Sequence, residues 1–198
     1  MNTPNKLTVA RMIATPVFMA AMMLEGVPFN YTVSLVLFIL ASLTDMLDGK
    51  IARKNNIVTN FGKFLDPVAD KMLTTAALLG FMIIMPNKSC TVQVTIITFI
   101  TLFREFTVSS VRLVAAASES RKVIAANMWG KLKTVSQMAS IILGLLAYSV
   151  REFIPGYQVL PNILLIAFLV VGWVSAAFTV ISGVIYLYES RELLDYTK

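Results

Sequence analysis

Residues 31–49 read YTVSLVLFILASLTDMLDG. No charged residue occurs from Tyr31 to Thr44, and then Asp45 and Asp48 arrive three positions apart. A second acidic pair follows in FLDPVAD, residues 64–70, at Asp66 and Asp70. A helix needs about 20 predominantly apolar residues to cross a bilayer. The stretch therefore reads as a membrane helix that carries carboxylates at one end.

The rest of the chain agrees with that reading. Of 198 residues, 57% are hydrophobic and only 14% are charged. A soluble domain of this size is about 45–50% apolar and about 25% charged. Apolar segments lie at roughly 8–25, 31–53, 66–85, 91–117, 131–150 and 160–188. They are too long and continuous for barrel strands, and helices satisfy their own backbone in lipid. The expected fold is all-α: one polytopic membrane domain over residues 1–198 with six transmembrane helices. Punctuation falls between the segments, at Gly26 and Pro28, Asn55-Asn56, Pro86-Asn87, Ser118, and Pro155-Gly156 with Pro161. The polar, basic start, MNTPNKLTVAR, merges into the first span without a small-residue cleavage site, so no signal peptide is expected.

Charge sets the orientation. If both termini share a side, that side holds every lysine and arginine except Lys88 and Arg151. Cytoplasmic segments carry such an excess, so both termini are expected in the cytoplasm. The net charge of +6 then follows from topology and from attraction to anionic headgroups, with no nucleic acid needed. There are no histidines and one cysteine, Cys90. Histidine bases, cysteine metal clusters and internal disulfides are excluded. Cys90 is expected as a small residue in a short loop.

Chemistry must therefore run on carboxylates, cations and hydroxyls. Ionisable groups inside membrane spans are functional candidates by default. Asp45 and Asp48 are spaced i,i+3, and Asp66 and Asp70 i,i+4, so each pair shares a helix face. The link between the pairs is short enough to make the two helices antiparallel neighbours, with the four carboxylates converging at the cytoplasmic end. Four carboxylates in one place repel one another. A hard divalent cation, Mg²⁺ or Mn²⁺, removes that problem, and two ions suit a site that bridges phosphates. Taken alone, Asp66 before Pro67 reads as a helix N-cap. Spacing leaves the four acids equivalent. Gly49, Ala52 and Gly62 leave room beside the backbone, either for a ligand or for helix packing. Arg104 and Arg112, deep in apolar sequence, and Lys131 and Lys133 in WGKLKT provide anion-binding groups. Arg104 could pair with neighbouring Glu105, although adjacent helix residues do not face each other.

Asp45, Asp48, Gly49, Ala52, Arg53, Gly62, Asp66 and Asp70 reproduce the pattern D-x2-D-G-x2-A-R-x8-G-x3-D-x3-D. Every fixed position and every spacing agrees. The chain thereby resembles the CDP-alcohol phosphotransferase family. PNKLTVAR, FGKFLDPVADK, REFTVSSVRL and WGKLKTVSQM resemble its bacterial branch that makes phosphatidylglycerophosphate. The resemblance implies a six-span enzyme, usually a homodimer, with its active site at the cytoplasmic face of the cell membrane. It implies that Asp45, Asp48, Asp66 and Asp70 hold the metal ions, and that Asp70 doubles as general base. It assigns Asp48, Gly49, Ala52, Arg53, Gly62 and Asp66 to the CDP site. It implies CDP-diacylglycerol and sn-glycerol 3-phosphate as substrates, with Arg104, Arg112, Lys131 and Lys133 on the acceptor's phosphate. It also allows a short N-terminal interfacial helix at PNKLT, with Asn5 or Thr8 reaching the nucleotide.

Two alternatives stand beside this. The same chemistry with inositol phosphate or phosphatidylglycerol as acceptor shares the signature acids. A cation transporter would use the carboxylates as an ion path, although such residues usually lie near the midplane of repeated halves.

Overall fold

Every helix starts ahead of its apolar run. The computed structural model describes residues 3–24, 26–54, 60–117 and 128–191, and among them lie six helices and no strand. They are α1 (Thr3–Met23), α2 (Asn30–Lys54), α3 (Asn60–Ile84), α4 (Lys88–Ala117), α5 (Met128–Phe153) and α6 (Val159–Glu189). Hydropathy marks only the apolar part of a helix. Polar residues continue the hydrogen-bond ladder until a breaker intervenes. PNKLT accordingly forms the first turns of α1 instead of a separate interfacial helix. Asp66 and Pro67 lie inside α3, well past its start at Asn60, so Asp66 is not an N-cap. Cys90 sits in the first turn of α4, where its amide donates to Asn87 Oδ1 at 2.9 Å. Asn87 is thus the N-cap there.

Four helices contain spans long and apolar enough to cross a membrane: Asn5–Met23, Lys88–Ala115, Met128–Phe153 and Val159–Glu189. The apolar parts of α2 and α3 among the described residues, Asn30–Thr44 and Lys71–Ile84, are shorter.

The helices pack as an up-and-down bundle. α5 and α6 share the largest interface, α1 lies against both α2 and α3, α4 lies on α6 and α3, and α2 lies on α5. α2 and α3 share only a small interface among the described residues. α1 packs on both of them. Buried small and hydroxyl residues line α5 and α6, including Ser140, Gly144, Ala147, Gly172, Ser175, Ala176 and Thr179. Such residues let backbones approach in lipid. Ser140 Oγ donates to Phe168 O at 2.8 Å across this interface. A Cβ added at Gly144 would lie 2.5 Å from Phe81 Cζ, so the ring from α3 fills the space that glycine leaves. Phe81 also meets Phe168 at 4.6 Å between centroids.

At the end bearing Lys88 and Arg151, α5 caps α2. Glu152 Oε1 accepts from Tyr31 N at 2.9 Å, and Oε2 accepts from Thr32 N at 2.9 Å and Thr32 Oγ1 at 2.7 Å. The first amides of a helix have no partner within it and carry partial positive charge. Glu152 supplies the missing acceptors from another helix. Tyr148 Oη donates to Ile84 O at 2.7 Å and ties the last turn of α3 to the same place. Gly26 and Phe29 adopt positive φ, 80° and 59°, to turn the chain from α1 into α2. The Phe29 ring packs on Phe153 at 5.1 Å.

Candidate active site

The opposite end of the bundle gathers cations. Glu105 of α4 is its centre. Its Oε1 lies 2.7 Å from Lys133 Nζ of α5 and 3.1 Å from Arg104 Nη1. Its Oε2 lies 3.2 Å from Lys71 Nζ of α3. Lys71 also donates to Ser109 Oγ, one turn along α4 from Glu105. Three helices therefore meet on one carboxylate, and both of its oxygens are engaged.

Helix geometry explains the selection. Lys71 follows Asp70 directly and enters from the signature helix α3. Lys131 and Lys133 are two positions apart, so they leave α5 in different directions. Lys133 is buried and reaches Glu105, whereas Lys131 is exposed. The carbonyl of Lys133 accepts from Ser175 Oγ of α6 at 3.2 Å, which fixes its turn. Arg112 is also exposed, and its guanidinium carbon stands 5.6 Å from the centroid of the buried Tyr186 ring. That geometry is a cation–π contact. Of the four acceptor-site candidates, the structure brings Arg104 and Lys133 together, and among the described residues Arg112 and Lys131 lie outside their ion-pair cluster. Arg104 does pair with adjacent Glu105 because both side chains are long enough to bend toward a common point.

Arg104 stands at a seam. Its Nε has no hydrogen-bond partner among the described residues. It lines a groove between α4 and α6 whose other walls include Phe99, Phe103, Val180, Val184 and Leu187. A Cβ at Gly183 would come within 3.2 Å of Arg104 Cγ, so the glycine makes room for the arginine stem.

A second polar feature lies on α1. Asn5, Thr8, Arg11 and Thr15 are all buried, although they belong to a helix that crosses an apolar core. They recur every three or four residues, which places them on one face. α1 packs against α2 and α3, so this polar face lies within the part of the bundle that carries the signature. Asn5 and Thr8 were anticipated as polar groups near a ligand. Arg11 was not, and only its position on the same face as Asn5 and Thr8 could have singled it out.

The signature itself is helical. Asp45, Asp48, Gly49, Ala52 and Arg53 fall on the last turns of α2, and Gly62, Asp66 and Asp70 on the first turns of α3. Their side chains lie outside the described residues. Among the described residues, no three acids or cysteines gather to hold a metal. The donor set in the signature is oxygen-only, which fits a hard divalent cation. Glu105 and Lys71 are the cluster members that sequence reasoning missed as site residues. Their signal was charge within apolar sequence, which also marked Arg104.

Comparison with known proteins adds to this geometry. Residues 1–184 match the family model described as CDP-alcohol phosphatidyltransferase. Members of that family are generally dependent on a divalent metal. A Bacillus subtilis protein named CDP-diacylglycerol–glycerol-3-phosphate 3-phosphatidyltransferase is 39% identical over 204 residues, covering 98% of this chain and 97% of the relative. A Haemophilus influenzae protein of the same name is 36% identical over 197 residues, covering 98% and 96%. A rice protein named cardiolipin synthase (CMP-forming) is 32% identical over 201 residues, covering 96% of this chain and 58% of that relative.

Proposed function

We propose that this chain, which belongs to the CDP-alcohol phosphatidyltransferase family, transfers the phosphatidyl group of CDP-diacylglycerol to sn-glycerol 3-phosphate, releasing CMP. The bacterial relatives named for that reaction support the choice of substrates. The observation that carries the acceptor assignment is the meeting of Lys71, Arg104 and Lys133 at the end of the bundle where α2 and α3 bear the signature. A phosphorylated acceptor is the partner such an excess of cations selects. Family membership sets the transporter reading aside.

Asp45, Asp48, Asp66 and Asp70 would hold the divalent ions, Mg²⁺ or Mn²⁺ and two in number. When bound, they would neutralise the charge of the pyrophosphate and of departing CMP. Gly49, Ala52 and Gly62 give the nucleotide access to the helix backbones, with Asp48 and Asp66 beside it. Arg53 lies near the phosphates. Asp70 accepts the proton of the acceptor's primary hydroxyl. That oxygen attacks the phosphatidyl phosphorus, the bond from this phosphorus to the CMP oxygen breaks, and CMP leaves with the electron pair. Arg104 and Lys133 hold the acceptor's phosphate, with Arg112 and Lys131 drawing the anion in from solvent. Catalysis is then mostly positioning and charge neutralisation.

The enzyme works as a homodimer in the cell membrane, with both termini and the active site on the cytoplasmic side. The basic helix ends support that orientation. One substrate is a lipid and the other a soluble anion, and an interfacial site reaches both. The test is CMP release from CDP-diacylglycerol with glycerol 3-phosphate, inositol, inositol phosphate, serine and phosphatidylglycerol offered separately. Glycerol 3-phosphate should give the fastest release. Faster release with phosphatidylglycerol would favour the chemistry named for the rice relative.

A further inference from the structure

We infer that Glu105 is a positioning residue that sets where the acceptor's phosphate docks. The inference rests on the acceptor-site reading above and adds a residue to it that anion chemistry alone would reject, because a carboxylate repels phosphate.

The argument starts from the arrangement. Lys71, Arg104 and Lys133 reach the site from three helices, and Glu105 is their common contact, at 3.2, 3.1 and 2.7 Å. Like charges brought this close repel one another, and a shared carboxylate holds them in place. Lysine has three donors and arginine five. Each cation therefore keeps donors free after it has bonded Glu105, and Arg104 Nε has no partner among the described residues. Within this described cluster, three positive charges against one negative leave an excess of two. A phosphomonoester carries about −1.5 to −2 charge at pH 7. The cluster is thus matched to a dianion with Glu105 still in place. Ser109, which accepts from Lys71, steadies the most exposed of the three cations.

Replacing the charge leaves the cations without their anchor. The neutral variant has more net positive charge, so it binds a bare phosphate at least as well. It no longer directs that phosphate to the spot from which the hydroxyl attacks. A positioning role therefore separates anion binding from productive use, whereas a purely structural role would lose both together.

The experiment uses the full-length enzyme in detergent micelles with CDP-diacylglycerol. Glu105→Gln should lower kcat/KM for glycerol 3-phosphate by about tenfold to a hundredfold, the scale of a small misplacement. It should leave KM for CDP-diacylglycerol within about twofold and should not weaken inhibition by inorganic phosphate. Glu105→Asp should recover part of the loss. Unchanged use of glycerol 3-phosphate would overturn the inference, as would a parallel loss of phosphate inhibition or of CDP-diacylglycerol affinity. If Glu105→Gln does not fold, Glu105→Asp decides by the same split, since the shorter acid cannot reach all three cations. Lys133→Met separates this inference from the reading beneath it. If that variant weakens acceptor use and Glu105→Gln does not, only the role of Glu105 falls. If Lys133→Met also leaves the acceptor and phosphate inhibition untouched, the acceptor site itself is misplaced.

Discussion

Glu105, in the interior of α4, and Glu152, at the end of α5, are both partly buried glutamates, yet they are used in opposite ways. Glu152 accepts from two backbone amides and one hydroxyl at the start of α2. Its partners are neutral groups with the partial positive charge of a helix N-terminus. Both oxygens of Glu152 are taken up by groups of the fold itself. Glu105 accepts from three full cations on three helices. Among the described residues that leaves three cations to one carboxylate, an excess that the acceptor's phosphate completes under the proposed function. One carboxylate closes a structure, while the other leaves a site open.

The comparison makes separable predictions. The largest effect belongs to the signature at the Glu105 end. Asp70→Asn should reduce turnover by about 10²–10⁴-fold, the range for a general base, with unchanged unfolding in micelles. Near-normal turnover would remove Asp70 as the base. Next comes Lys133→Met, which should raise KM for glycerol 3-phosphate by about tenfold or more, because charged hydrogen bonds contribute about 1.5–3 kcal/mol. Steady-state kinetics with each substrate varied in turn will detect it, and a matching rise for CDP-diacylglycerol would contradict the acceptor assignment.

At the other end the effect should move from kinetics to stability. Glu152→Gln should cost about 1–3 kcal/mol in unfolding, since an amide nitrogen now faces backbone donors. Both KM values of the folded enzyme should stay as they were. A kinetic change without a stability change would erase the contrast between the two glutamates. The smallest effect is expected for Asn87→Ala, which removes the cap of α4 and should cost about 1 kcal/mol. A thermal melt of the pair of variants, read by helical circular dichroism, would rank them.

Much of the fold was legible because membrane helices announce themselves by length and apolarity. The six runs became six helices, and the signature acids fell on the facing ends of α2 and α3. Helix starts were misjudged because a polar turn is still a helix, as at PNKLT and at Asn60. The cluster was only half legible. Arg104 and Lys133 stood out as cations in suspicious places, but so did Arg112 and Lys131, and a list of cations does not say which ones meet. Glu105 was read as a local partner of Arg104 at most. Its reach to Lys71 and Lys133 depends on how α3, α4 and α5 pack, which no spacing within α4 encodes. Arg11 shows the same limit: in sequence it counts only toward the basic side, and its burial on the face of Asn5 and Thr8 depends on how α1 packs.

The sequence by itself determined that this is a helical membrane enzyme of one family, because apolar length and an eight-position signature are local properties of the chain. It also determined which end is basic, since charge follows composition. Only the tertiary structure decided that α1 packs on both α2 and α3, that Lys133 turns inward while Lys131 turns out, and that one glutamate gathers three cations. Those outcomes depend on which helix faces meet, and that is settled by the packing of small residues and rings between helices far apart in the chain.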